Sequence, residues 1–136
     1  MYLFAPLLLV FGAFFLVPEA EARIYCPLPE QGTWINKSAK PKELSRLEIE
    51  TRCRDDRVFA RIRAYTKCIP RDCKWGWTDA AMRSEGKGLE VLLRGFYLSK
   101  FISVTANGDQ ISAYVSNDYH DEKMQDTVKN FILYRD

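Results

Sequence analysis

The chain has a single histidine, His120, in the run Asn117-Asp118-Tyr119-His120-Asp121-Glu122. Nucleophilic or acid–base catalysis needs a nucleophile, a base and a group that orients the base. Elsewhere the sequence has no catalytic serine motif and no spaced glutamate pair, and the composition of this run is that of an exposed hairpin turn. The expectation is a non-enzymatic protein with no catalytic residue, no metal and no cofactor.

Four cysteines, Cys26, Cys53, Cys68 and Cys73, permit three pairings. Cys68 with Cys73 is favoured, because Ile69-Pro70-Arg71-Asp72 can turn the chain back between them. That leaves Cys26 to tie an N-terminal arm to Cys53, closing a longer loop. Zinc is the competing reading of a Cys-x4-Cys pair, but the spacing is loose and His120 is distant.

Two groups of side chains are candidates for binding. Trp75 and Trp77 stand two apart and, on a strand, would share one face as an aromatic platform for a sugar ring or a flat apolar ligand. Local core packing over the Cys68–Cys73 bridge is the competing reading. The stretch from Arg52 to Lys74 holds eight Lys or Arg against three Asp. Within it Arg61, Arg63 and Tyr65 alternate with apolar residues, so they should project together toward an anionic surface or partner. Strand faces are also made basic for solubility and edge protection.

The elements that must position these groups are strands. From Arg57 to Thr66, Val58, Ala60, Ile62 and Ala64 alternate with Phe59, Arg61, Arg63 and Tyr65, giving one dry face and one basic, aromatic face. Segments Phe96 to Thr105 and Gln110 to Asn117 flank Ala106-Asn107-Gly108-Asp109, where Asn-Gly predicts an antiparallel hairpin because both residues accept positive φ. Further strands are predicted at Gly32 to Asn36, Leu44 to Cys53, Lys74 to Ala81, Gly88 to Leu93 and Val128 to Arg135. About eight meandering strands without an amphipathic helix predict an all-β, antiparallel up-and-down barrel, since closure removes exposed edges. A barrel of this size can be filled by side chains or can hold one small ligand. Trp34, Met82 and Phe96 are large enough to fill much of the interior, whereas Ala60, Ala64 and Ala113 would leave space.

The first 22 residues predict a destination. An apolar run from Leu3 to Val17 is followed by Pro18 and Ala20-Glu21-Ala22, which fits a secretory signal peptide cut before Arg23. Met1-Tyr2 lacks the usual basic residue, and an uncleaved anchor is the competing reading. Residues 23–136 then form one domain with 20 basic and 16 acidic residues, a mildly basic balance that argues against nucleic acid as a partner. Export into a secreted or periplasmic compartment is consistent with an even cysteine count. Asn36-Lys37-Ser38 matches a glycosylation sequon, relevant only to a eukaryotic route.

Gly32-Thr33-Trp34 opens the first predicted strand and Arg135 closes the last. This pairing resembles the signature of the calycin superfamily, the lipocalins, avidins and bacterial protease inhibitors. The resemblance implies that the Trp34 indole closes one end of the barrel beneath the Arg135 guanidinium, with Gly32, Trp34 and Arg135 structural. More locally, Trp34-x-Asn36, Arg46-Leu47-Glu48-Ile49 and Cys68-x-Pro70-x-Asp72-Cys73-x-Trp75-Gly76 resemble an uncharacterised family of secreted, mostly bacterial domains, which implies no activity.

The combined expectation is a monomeric, secreted binding protein that holds a small apolar or carbohydrate ligand in the barrel mouth or by the Trp-containing loop. A deep pocket lined by Val58, Ala60, Ile62, Val104, Ala113 and Val115 would serve it. The alternative is a protein-interaction module or protease inhibitor with a filled barrel, touching a secreted partner through loops or an arm at Arg23-Ile24-Tyr25.

Overall fold

The computed structural model describes residues 26–84 and 87–136. The signal peptide and its cut before Arg23, and the arm at Arg23-Ile24-Tyr25, lie outside the described residues.

Alternating sequence becomes alternating burial. Among the described residues nine strands run in chain order: β1 (Gly32–Ile35), β2 (Leu44–Arg54), β3 (Arg57–Thr66), β4 (Cys73–Lys74), β5 (Thr78–Met82), β6 (Leu89–Arg94), β7 (Leu98–Asn107), β8 (Gln110–Tyr119) and β9 (Thr127–Arg135). Every pairing is antiparallel. The sheet order, with β2 paired to both β1 and β3, closes eight strands into an up-and-down barrel, and the two-residue β4 hangs on the end of β3. Closure pairs the sheet edges that an open sheet would expose to other chains.

Two hairpins show how local chemistry sets register. Asp55 and Asp56 join β2 to β3 with φ of 51° and 60°. Positive φ at both central residues is the turn whose twist matches the flanking strands, and aspartate tolerates it. Between β7 and β8 the predicted antiparallel hairpin forms, with β7 running two residues further toward the turn than predicted: Asn107 pairs with Gln110 and the turn is Gly108-Asp109. Gly108 alone takes positive φ, 64°.

The predicted single strand from Lys74 to Ala81 is interrupted. Lys74 faces Tyr65 and Thr78 faces Ile62, so four steps on one chain oppose three on β3. An extra residue at Gly76-Trp77 makes a β-bulge, which reverses the side-chain alternation across it. A second irregularity at Ser45 leaves both Leu44 and Ser45 buried. Ser45 Oγ there donates to Asp72 Oδ2 at 2.7 Å, fastening the Cys68–Cys73 loop to β2.

Both expected disulfides form, Cys26–Cys53 and Cys68–Cys73, with Cα separations of 6.1 and 5.5 Å. The first ties the N-terminal segment to the end of β2. That segment is further held by the Leu28 N–H on Thr51 Oγ1 and by Gln31 Oε1, which accepts from the Thr51 hydroxyl at 2.6 Å.

One end of the barrel is closed around Trp34, which has no exposed surface. Trp34 and Arg135 are register partners, and the guanidinium carbon lies 4.2 Å from the indole centroid. The indole N–H donates to the Glu30 carbonyl at 2.9 Å, and Arg135 donates to the carbonyls of Gln31 and Pro29 at 2.8 and 3.1 Å. Gly32 is required beneath it: its φ is 132°, and a Cβ there would stand 2.8 Å from Arg135 Nη1.

The barrel is filled from this end upward. Leu47, Ile62, Ala64, Leu89, Ile102, Val104, Ile111 and Leu133 have no accessible surface, and Ala113 and Val115 only 1% and 2%. Side chains without surface accessible to water cannot line a cavity that holds a ligand. The expected deep pocket at Val58, Ala60, Ile62, Val104, Ala113 and Val115 is therefore solid core, apart from half-buried Val58 near a rim and the outermost edge of Val115, which borders a cleft at the other end of the barrel. The alanines leave no space because Trp34 and the surrounding leucines, isoleucines and valines take it up. Met82 and Phe96 take no part in the filling, being 40% and 88% exposed. β7 begins at Leu98, leaving Phe96 and Tyr97 on the preceding turn, where their rings meet edge to face.

Candidate functional site

The inner wall of β7 and β8 is apolar for three rows and then changes character. Ile111 faces Ala106, Ala113 faces Val104 and Val115 faces Ile102, and the next inward row is Lys100 opposite Asn117, with Thr127 beside Asn117 on β9. Strand pairing thus places an ammonium, an amide and a hydroxyl side by side at the barrel mouth. They are bonded in sequence: Lys100 Nζ donates to Asn117 Oδ1 at 2.5 Å, and Asn117 Nδ2 donates to Thr127 Oγ1 at 3.1 Å.

Lys100 is only 3% exposed. Its burial pulls the ammonium below the usual lysine pKa of 10.5, because a low-dielectric site disfavours the charged form. Among the described residues no carboxylate lies within 4.0 Å of Nζ. Above this row opens a cleft of about 250 Å³. Leu44, Val115 and Phe131 form its apolar side, Lys100, Asn117 and Thr127 its polar row, and Lys42, Glu43 and Lys129 its rim.

The rim belongs to the β1–β2 connection. Lys42 N–H donates to the Lys67 carbonyl and Lys67 N–H to the Glu43 carbonyl, at 2.8 and 2.9 Å, so the loop is bonded to the chain leaving β3. Glu43 then pairs with Lys129 on β9, spanning the mouth. The hydrogen bond from Lys129, followed by that from the Lys40 N–H, holds the Glu43 carboxyl below its usual range. With Glu43 engaged by Lys129, the cleft retains the positive charges of Lys42 and Lys100.

The candidate binding residues separate into two places. Trp75 pairs with Ala64 through its N–H, 2.9 Å from the Ala64 carbonyl, and so inherits the inward direction of that position. It packs against the core at the mouth, with Lys100 Nζ 5.9 Å from its ring centroid. Trp77, beyond the bulge, lies on the outer wall with Arg61 and Arg63, their guanidinium carbons 4.5 and 4.6 Å from its ring. The expectation that the two tryptophans share one face is overturned by the extra residue between them.

Arg61, Arg63 and Tyr65 are brought together, but as a closed ladder. Glu50 faces Arg61 and Glu48 faces Arg63 across β2–β3. Arg61 Nε donates to Glu50 Oε2 at 2.7 Å, Arg63 Nε to Glu48 Oε2 at 2.9 Å, and the Tyr65 hydroxyl to Glu48 Oε1 at 3.1 Å. Arg46 reaches the same carboxylate at 2.9 Å. Burial alone would raise the Glu48 pKa, but the bonds from Arg63 and Tyr65 and the nearby charges of Arg63 and Arg46 outweigh it and hold the carboxyl below its usual range. The apparent basic stripe is largely neutralised by acidic residues that lie outside the stretch counted from the sequence.

His120 is exposed at the Phe96–Tyr97 end, with Nδ1 3.1 Å from the Phe96 carbonyl oxygen and Nε2 3.2 Å from Ser99 Oγ. The principal residues that sequence reasoning passed over are Lys100 and Asn117. A signal for Lys100 was present: it shares the period-2 phase of Ile102 and Val104, a lysine on a dry face. Comparison of the chain with protein families, curated proteins and solved structures yields no significant match.

Proposed function

We propose that this protein is a secreted or periplasmic, non-enzymatic binding protein of calycin type that holds one small ligand in the mouth of its barrel. The carrying observation is the change from solid apolar rows to a polar row beneath a cleft. Within the barrel that restricts ligand space to the mouth, and it combines apolar walls with a few fixed polar groups, the usual composition of a small-molecule site. Trp34 beneath Arg135 supports the calycin reading, and two disulfides support an oxidising compartment. Trp75 stands behind Lys100 on the inner side of the barrel, whereas Trp77 lies on the outer wall.

Native mass spectrometry of the unreduced protein from its own secretory compartment tests this reading. A small molecule released on mild denaturation, and absent from a Val115→Trp variant whose indole occupies the cleft, supports it. An apo mass in both, together with no mouth signals shifted by a panel of small apolar and sugar ligands, overturns it.

A second reading has its own observation. The outer wall of β6–β9 exposes Leu92, Tyr114, Val128, Ile132 and Tyr134, each at 40–57%. A filled barrel with such a wall suits a protein-interaction module or protease inhibitor. Photo-crosslinking from Tyr114 in the native compartment discriminates: one discrete protein adduct favours this reading, and its absence favours the mouth.

A further inference from the structure

We propose that the mouth cleft selects a small carboxylate ligand, with Lys100 Nζ receiving the anionic oxygens and the apolar part of the ligand resting against Leu44, Val115 and Phe131. The inference rests on the reading of the mouth as a ligand site and names the ligand's chemistry.

Three observations carry it. The first is a buried charge without a counter-ion: Lys100 is 3% exposed, and its hydrogen-bond partner is the neutral amide of Asn117. Burying an ammonium is strongly unfavourable unless it is paired. An ammonium has three donors, and Asn117 takes one. The second is orientation. Asn117 Nδ2 is held on Thr127 Oγ1, so its carbonyl oxygen is directed to the ammonium and keeps Nζ at the cleft wall.

The third is the charge around the cleft. Lys42 and Lys129 share its rim with Glu43, and Glu43 is engaged by Lys129 and the Lys40 N–H, so Glu43 is directed to groups other than Nζ. The cleft therefore presents positive potential over an apolar wall. Its volume of about 250 Å³ lies just below the usual range for ligand pockets and suits a short alkyl or single-ring acid. The lowered pKa of Lys100 agrees, since a bound carboxylate would restore the charged form.

The test is an NMR amide-shift titration of the intact, disulfide-bonded protein with three probes: hexanoate, the neutral 1-hexanol and inorganic phosphate. Saturable shifts at Lys100, Asn117 and Thr127 with hexanoate, at least tenfold weaker with 1-hexanol, are expected, with phosphate weaker than hexanoate because it gains nothing from the apolar wall. In a Lys100→Gln variant the hexanoate affinity should fall at least tenfold and 1-hexanol should be unchanged. Equal binding of hexanoate and 1-hexanol to the unaltered protein overturns the carboxylate assignment while leaving the mouth a ligand site. Absence of mouth shifts with any probe overturns both. Because the comparison of probes is made on the unaltered chain, a misfolded variant does not blunt the test.

Discussion

At the scale of single residues, the side chains that matter most are those whose charge is matched or left unmatched. Arg135 is matched twice, to the Trp34 ring and to the carbonyls beneath it. Arg135→Met removes a cation–π contact and charged hydrogen bonds together and should lower unfolding stability by about 2–4 kcal/mol, read from the urea midpoint. Arg135→Lys should recover only part of this, because a compact ammonium lacks the planar fork. Glu48 illustrates the pH consequence. Its folded-state pKa lies below the ordinary 4.5, so the folded protein holds its carboxylate ionised where the unfolded chain would take up a proton. The resulting stability is fully present above about pH 4.5 and is lost as pH falls through the folded value. Unfolding free energy measured from pH 7 to pH 3 should therefore decline below 4.5, and Glu48→Gln should start lower at pH 7 and decline less steeply. Equal slopes would remove Glu48 from the account. Arg135 and its tryptophan were legible from Gly-x-Trp and the final arginine. Glu48 as the partner of Arg63 was not, since facing residues on β2 and β3 are known only once register is known.

At the scale of elements, the segment from Lys74 to Thr78 decides which tryptophan faces inward. The bulge sends Trp75 inward and Trp77 outward, and the Gly95 turn then seats Trp75: a Cβ on Gly95 would lie 2.7 Å from the indole Cη2. Gly95→Ala should therefore cost about 1–3 kcal/mol through overpacking and shift the tryptophan emission as Trp75 is displaced. Gly76, where a Cβ meets nothing within 4 Å, supplies the control. Gly76→Ala should leave the unfolding free energy, read from the urea midpoint, within about 0.5 kcal/mol of the parent. Strand existence was legible here from alternation, and the Arg57–Thr66 strand was predicted with its observed ends. The break after Lys74 was not, because a single extra residue in a β-bulge has no compositional mark of its own. At the β7–β8 hairpin the Asn-Gly pair located the turn but not its centre. Register with Asn107 as a paired strand residue placed the positive φ on Gly108 alone.

At the scale of the whole molecule, closure of eight strands and two disulfides divide the labour. Closure satisfies the edges, whereas the disulfides restrain the unfolded chain and fasten segments outside the barrel wall. Cys26–Cys53 spans 27 positions and Cys68–Cys73 spans 5, so in the chain-entropy picture the first contributes about 3.5 kcal/mol and the second about 2 kcal/mol. Paired Cys→Ser variants compared by urea unfolding should show that order. A larger loss at Cys68/Cys73 would mean that the loop carrying Asp72 and Trp75 stabilises the native state directly, through Ser45 and the mouth. By itself the sequence determined the fold class, the strand count and the closed end, and favoured one of three disulfide pairings, because those depend on period-2 alternation, a local motif and cysteine spacing. Only the tertiary structure decided that the interior is solid, that the arginine stripe is matched by glutamates and that Lys100 stands at the mouth. Alternation tells a side chain whether it faces in or out. Its height along the barrel, and what lies beside it, follow from strand register, which is set jointly by turns, bulges and the packing of residues far apart in the chain.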